Sequence, residues 1–214
     1  LSKVEVVFYP RESYRFQAGL GVAATLGYRG KPAMLTDLQK RKLTKLFSMY
    51  DSDYTGVLVK DDFDLMFDKL STLRNWSLRS PRCLVLQDKL MRKWKGLEKK
   101  ADTAHDHKVS IAEWLAYYDE VLADTKTCAE EIASLMDIIF DVFDQDEDGK
   151  INQAEWGQLL AAFNESPVYA PQIFPALDDN GDGWLTKADM LKLFQDFCYS
   201  DDPNHPANGM FGPY

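Results

Sequence analysis

The 214-residue chain is 45% hydrophobic and 28% charged, the composition of a soluble globular protein with ample aromatic area for a core. Its formal net charge is −9, and a polyanion is repelled by DNA, RNA and anionic lipid headgroups, so nucleic acid and membrane surfaces are set aside as partners. Cys83, Cys128 and Cys198 are odd in number and far apart, which argues against a disulfide framework and for a reducing, cytoplasmic setting. No apolar run is long enough to make an integral membrane segment.

Residues 1–34 carry Lys3, Arg11, Arg15, Arg29 and Lys31 against Glu5 and Glu12, a basic bias opposite to that of the remainder. They read as an N-terminal extension that packs or stays flexible; a trimmed targeting segment is the other reading. Helical patterning begins at Thr36, which has capping-box spacing to Gln39. Leu43, Leu46, Phe47 and Tyr50 then recur at i, i+3, i+4 and i+7, the stripe of a helix with one buried face. An acidic, glycine-bearing stretch (51–62) interrupts it, and Phe63, Met66, Phe67 and Leu70 start a second stripe.

The same helix–loop–helix unit recurs. Leu86, Leu90, Trp94 and Leu97 lead into 102–113, followed by Trp114, Tyr117, Tyr118 and Val121. Ile132, Leu135, Met136, Ile139, Phe140 and Phe143 lead into 144–155, followed by Trp156, Leu159, Leu160 and Phe163. The fourth loop, 178–189, precedes Met190, Leu193, Phe194 and Phe197. Its entering helix contains Pro171 and Pro175 and is expected to be short. Asn75, Ser77, Ser80 and Pro81 mark a turn, with Pro81 opening the next helix. The chain therefore divides into the extension (1–34), a first pair of units (35–124), a second pair (125–199) and a tail (200–214). Met210, Phe211 and Tyr214 suit that tail to packing back on the body.

The loops carry the chemistry. Calcium takes six to eight oxygens, and a twelve-residue loop wraps it with side chains at positions 1, 3 and 5, a backbone carbonyl at 7 and a carboxylate at 12. Position 6 turns sharply and favours glycine. Loop three offers Asp144, Asp146, Asp148, Gly149, the Lys150 carbonyl and Glu155, with apolar Ile151 at position 8. Loop four offers Asp178, Asn180, Asp182, Gly183, the Trp184 carbonyl and Asp189. Loop one offers Asp51, Asp53, Thr55, Gly56, the Val57 carbonyl and Asp62, with Val59 supplying no oxygen at position 9. Asp62 and Asp189 are one methylene shorter than glutamate, so magnesium is expected to compete there. Loop two keeps Asp102, Asp106, Ser110 and Glu113 but has Ala104 at position 3 and His107 in place of the glycine. It is expected to brace loop one through Val109 against Leu58 without holding metal. His105 and His107 are read as residues of an exposed, degenerate loop rather than transition-metal ligands. The expectation is about three calcium ions.

These are EF-hand loops, and the chain resembles the sarcoplasmic calcium-binding protein and calexcitin group. The stretches Leu35–Lys42, Arg74–Trp76, Trp94–Leu97, Val109–Trp114 and Asn208–Pro213, with Asp102, carry the resemblance. It implies an all-α fold: four EF-hands in two pairs, packed into one compact globule with a short β-ladder between paired loops. It also implies a monomeric cytosolic calcium buffer or signalling protein with one silent loop. A photoprotein-like or small-ligand-binding EF-hand protein is the alternative, and a protein target is implied only for a sensor. No glycine-rich phosphate loop supports an enzyme. Met66, Met136 and Met190 lie on helix stripes and read as core, which favours a buffer.

Overall fold

The computed structural model describes residues 34–213; the extension expected over 1–34, apart from Met34, and Tyr214 lie outside the described residues. Among the described residues eight α-helices run in chain order: α1 Asp37–Tyr50, α2 Lys60–Leu73, α3 Pro81–Ala101, α4 Ile111–Ala123, α5 Thr125–Phe143, α6 Gln153–Ala162, α7 Ala170–Leu177 and α8 Lys187–Tyr199. Four short strands interleave with them: β1 Val57–Leu58, β2 Val109–Ser110, β3 Lys150–Asn152 and β4 Trp184–Thr186. This is the expected all-α EF-hand fold with two small antiparallel ladders.

Local chemistry sets the helix ends. Thr36 and Gln39 form a reciprocal capping box at α1, so two otherwise orphaned amides are satisfied. Ser80 caps α3, and Pro81 occupies its first turn, where no amide donor is needed. Helix α7 has only eight residues, with Pro171 in its first turn and Pro175 inside it.

The apolar stripes all turn inward and merge into one cluster. Phe47, Trp114 and Tyr50 meet at ring separations of 5.7 Å, and Trp114 lies 4.6 Å from Tyr118. Met66, Met136 and Met190 are buried in it. Helices from the two halves touch directly, with α3 against α5 and α1 against α8. Between α3 and α5, Lys93 pairs with Glu131, which also accepts from the Tyr117 hydroxyl at 2.5 Å.

The tail completes the core. Met210 and Phe211 are buried, and the Phe211 ring stands edge-on to Phe197 at 5.3 Å and Phe194 at 5.6 Å. Helix α1 clasps the same region with polar groups. Fully buried Lys42 donates to the Ser200 carbonyl at 2.7 Å and Asn208 Oδ1 at 3.1 Å, with its ammonium 5.5 Å from the Phe197 ring. Gln39 donates to the Cys198 carbonyl. The three cysteines are free and buried.

Candidate metal sites

Each loop is held at the end of one helix and the start of the next, and the ladders tie the loops in pairs. Leu58 pairs with Val109, and Ile151 with Leu185, all four buried. The apolar eighth position therefore anchors each loop in the core while the side chains at positions 3 and 5 face outward.

All four loops share one backbone path. The fourth position is left-handed in each: Tyr54 (φ 60°), His105 (57°), Glu147 (62°) and Gly181 (69°). The sixth is left-handed too: Gly56 (81°), His107 (61°), Gly149 (82°) and Gly183 (85°). Only loop two places a side chain with a Cβ at the sixth position, at the cost such residues pay in this region.

That path aims backbone amides at the first carboxylate. Asp51 accepts from the Thr55 amide at 3.0 Å and the Gly56 amide at 2.9 Å. Asp144 repeats this with Asp148 (3.1 Å) and Gly149 (3.0 Å), and Asp102 with Asp106 (3.3 Å) and His107 (3.0 Å). Asp178 accepts from Gly181 at 3.0 Å and Gly183 at 2.8 Å. These bonds orient the side chain and leave its remaining lone pairs for a cation.

The twelfth position differs among loops. Glu155 is buried and bridges the loop, accepting from the Gln145 amide at 2.8 Å and the Asn152 amide at 3.0 Å. Asp62 makes the same bridge despite its shorter side chain, to the Ser52 amide at 2.9 Å and the Val59 amide at 2.8 Å, and is fully buried. Asp189 is half-buried and bonds the Thr186 amide (2.9 Å) and hydroxyl (2.6 Å) with one oxygen. The two aspartate-ended loops are thus not equivalent.

Carboxylate oxygens converge in two places. Ligand atoms of Asp51, Asp53 and Asp62 lie within 4.8 Å of one another, as do those of Asp144, Asp146 and Asp148. Burial pushes the Asp62 carboxyl above the ordinary aspartate range; the Val59 and Ser52 amides oppose this, and the nearby Asp53 charge adds to it. Burial also raises Asp144, with the Asp148 and Asp146 charges adding. Oxygen-only donors, crowded and mutually repelling, fit a hard divalent cation. Thr55, Asn180 and Asp182 stand at the third and fifth positions of their loops, and the Val57, Lys150 and Trp184 carbonyls at the seventh.

Loop two closes on itself. Glu113 accepts from the Thr103 amide and hydroxyl, the Ala104 amide, and the Ser110 amide and hydroxyl. The Ser110 bonds lead in holding its carboxyl down at about 2. His107 Nδ1 lies 2.8 Å from Glu98, whose carboxylate raises the imidazole's affinity for a proton. Glu98 and Thr103 were not legible as loop partners, because Glu98 sits on the preceding helix outside the twelve-residue pattern. Among the described residues no histidine joins a metal-ligand cluster.

Comparison with known proteins agrees with this geometry. Residues 133–162 match the EF-hand domain pair family. The amphioxus (Branchiostoma lanceolatum) sarcoplasmic calcium-binding proteins II, V, VI and VII are 25% identical over 69% of this chain and 82% of their own length. Calerythrin of Saccharopolyspora erythraea is 21% identical over 78% of this chain and 95% of its own. The solved amphioxus sarcoplasmic calcium-binding protein superposes with a TM-score of 0.68 at 22% identity, covering 85% of this chain and all of that one. The chain is therefore similar to sarcoplasmic calcium-binding proteins in sequence and in fold, and its residues 133–162 carry an EF-hand pair.

Proposed function

We propose that this EF-hand protein is a monomeric cytosolic calcium buffer that holds about three calcium ions, in loops one, three and four. The observation that carries the reading is the convergence of oxygen donors on one shared loop path. Asp51, Asp53, Thr55, the Val57 carbonyl and Asp62 would hold one ion. Asp144, Asp146, Asp148, the Lys150 carbonyl and Glu155 would hold a second. Asp178, Asn180, Asp182, the Trp184 carbonyl and Asp189 would hold a third. Loop two would remain empty, because Glu113 already has its donors and Ala104 contributes no oxygen.

The buffer reading rests on how little the fold has to expose. A sensor opens a methionine-rich groove when calcium binds, whereas a buffer barely changes. Here Met66, Met136 and Met190 are buried, the halves share a core, and Phe211 seals one end. Free, buried cysteines support a reducing compartment. Magnesium would compete chiefly at loop four, where Asp189 stands away from the rest of its loop, and less at loop one, where Asp62 is already drawn in. Native mass spectrometry after calcium loading tests the count. Three bound ions are expected; two or four would overturn the assignment of loops.

A further inference from the structure

Setting anionic surfaces aside rests on the net charge of the whole chain, but that charge is unevenly spread. Between Asp68 and Asp88 the chain carries Lys69, Arg74, Arg79 and Arg82 and no acidic residue. This stretch is the end of α2, the following turn and the start of α3. It also holds Leu73, Leu78, Leu84 and Val85, which are 40%, 63%, 53% and 49% exposed. Of the other exposed large hydrophobics among the described residues, Tyr54 and Leu65 line one pocket, while Met34 and Val168 lie elsewhere in the sequence. Isolated ones need no explanation, but a group does.

The fold presents the group at one end of a helical hairpin. Helices α2 and α3 pack together, and the turn is pinned by Trp76 donating to the Ser71 carbonyl and Ser80 to the Ser77 carbonyl. Cys83, Leu86 and Leu90 of α3 are buried, so Leu84 and Val85 stand on the outer side of its first turns. Leu78 lies in the turn, and Leu73 ends α2. Beside Leu78, Arg79 is exposed and pairs with no carboxylate among the described residues.

We propose that this tip, Leu73–Val85, docks on an anionic lipid bilayer. Aliphatic side chains would enter the boundary between headgroups and acyl chains while the exposed Arg79 guanidinium meets lipid phosphate and carboxylate, Arg82 being held by Glu147. The two contributions act together, since a short apolar insertion or a few basic residues alone holds a protein only weakly. Glu147 of loop three reaches the tip but is already engaged by Arg82, and exposed charges farther than about 8 Å away are largely screened at physiological salt. A second copy fits less well. Symmetric pairing of this tip would set arginine against arginine.

The test is cosedimentation of the full chain with phosphatidylcholine vesicles, with and without phosphatidylserine as the anionic lipid. Binding to the phosphatidylserine vesicles alone is expected. Arg79→Glu should weaken it roughly fivefold or more, and the Leu78→Asp/Val85→Asp variant should reduce it to background. These side chains are exposed, so circular dichroism should stay unchanged. Failure of the wild type to sediment would overturn the proposal. So would binding that survives Leu78→Asp/Val85→Asp, which would place the contact elsewhere on the chain. A dimer in solution that this variant abolishes would make a second copy the occupant instead.

Discussion

Replacing Glu131 with glutamine should cost the calcium-free protein about 3 kcal/mol at neutral pH, and that cost should fall to about half or less as the pH drops to about 3. Glu131 sits between α3 and α5, where the two halves meet, with its side chain 18% exposed and that of Lys93 only 9%. Burial by itself would raise the Glu131 carboxyl. The Lys93 charge and hydrogen bond, the Tyr117 hydroxyl and Lys100 outweigh it and bring the value down from 4.5 to about 2. A folded-state value below the unfolded one means the contribution is complete above the unfolded value and is lost as pH falls toward the folded one. A difference of that size corresponds to at most about 3 kcal/mol. Glu131→Gln leaves the Lys93 ammonium without its anion, whereas Lys93→Met leaves Glu131 the Tyr117 hydroxyl and Lys100 at 3.4 Å. Lys93→Met should therefore cost less, about 2 kcal/mol, and the double variant less than either single one, because no charge is stranded. Urea unfolding of the four proteins in chelator, from neutral pH down to about pH 3, reads this directly. A cost of Glu131→Gln that stays constant with pH, or single costs that simply add, would refute the reasoning.

Other outcomes follow from the sites and the tail. Glu155→Gln removes the negative charge and one of the two acceptor oxygens from the side chain that bridges loop three, and calorimetry should show one strong calcium site fewer; an unchanged count would contradict the assignment. Ala104→Asp with His107→Gly restores the third ligand and the left-handed glycine of loop two and should add one ion to the wild-type count, read by native mass spectrometry. Phe211→Ala opens a hole against Phe194 and Phe197 and should cost about 3–4 kcal/mol in urea unfolding; a loss under about 1 kcal/mol would mean that the tail does not seal the core.

Much of the fold was legible because it follows periodicity. The stripe Leu43, Leu46, Phe47 and Tyr50 is buried, and Leu58 pairs with Val109 as the eighth positions of two loops must. Phe140, on the stripe of α5, is only partly buried, packing against the outside of the core. The polar clasp was not legible. Lys42 and Gln39 lie on the inner face of α1, where a periodic reading expects apolar residues, and their partners are more than a hundred residues away. The loop composition was plain, but its consequences were not. Asp62 and Asp189 look alike in sequence, and only the folded chain shows Asp62 bridging its loop while Asp189 stays near Thr186. The basic, apolar tip was hidden by averaging, since a net charge of −9 says nothing about a stretch with no acidic residue.

Short ladders join the four loops in pairs, one with two and three with four. Lys150 lies over the Trp184 ring at 5.5 Å, so the seventh positions of loops three and four touch across β3 and β4. Arg82 of α3 reaches Glu147, which carries the left-handed fourth position of loop three, and so links that loop to the other half. Such contacts tie the sites to the shared core rather than to a movable flap, the arrangement expected where loading changes shape little.

The most direct measurement is a calcium titration of the metal-free protein in millimolar magnesium, with a dye for exposed apolar surface present throughout. The account predicts that about three ions bind while the dye signal stays flat or falls. A sharp rise in dye fluorescence near saturation would contradict it, because the calcium-loaded protein would then be exposing a groove for a partner.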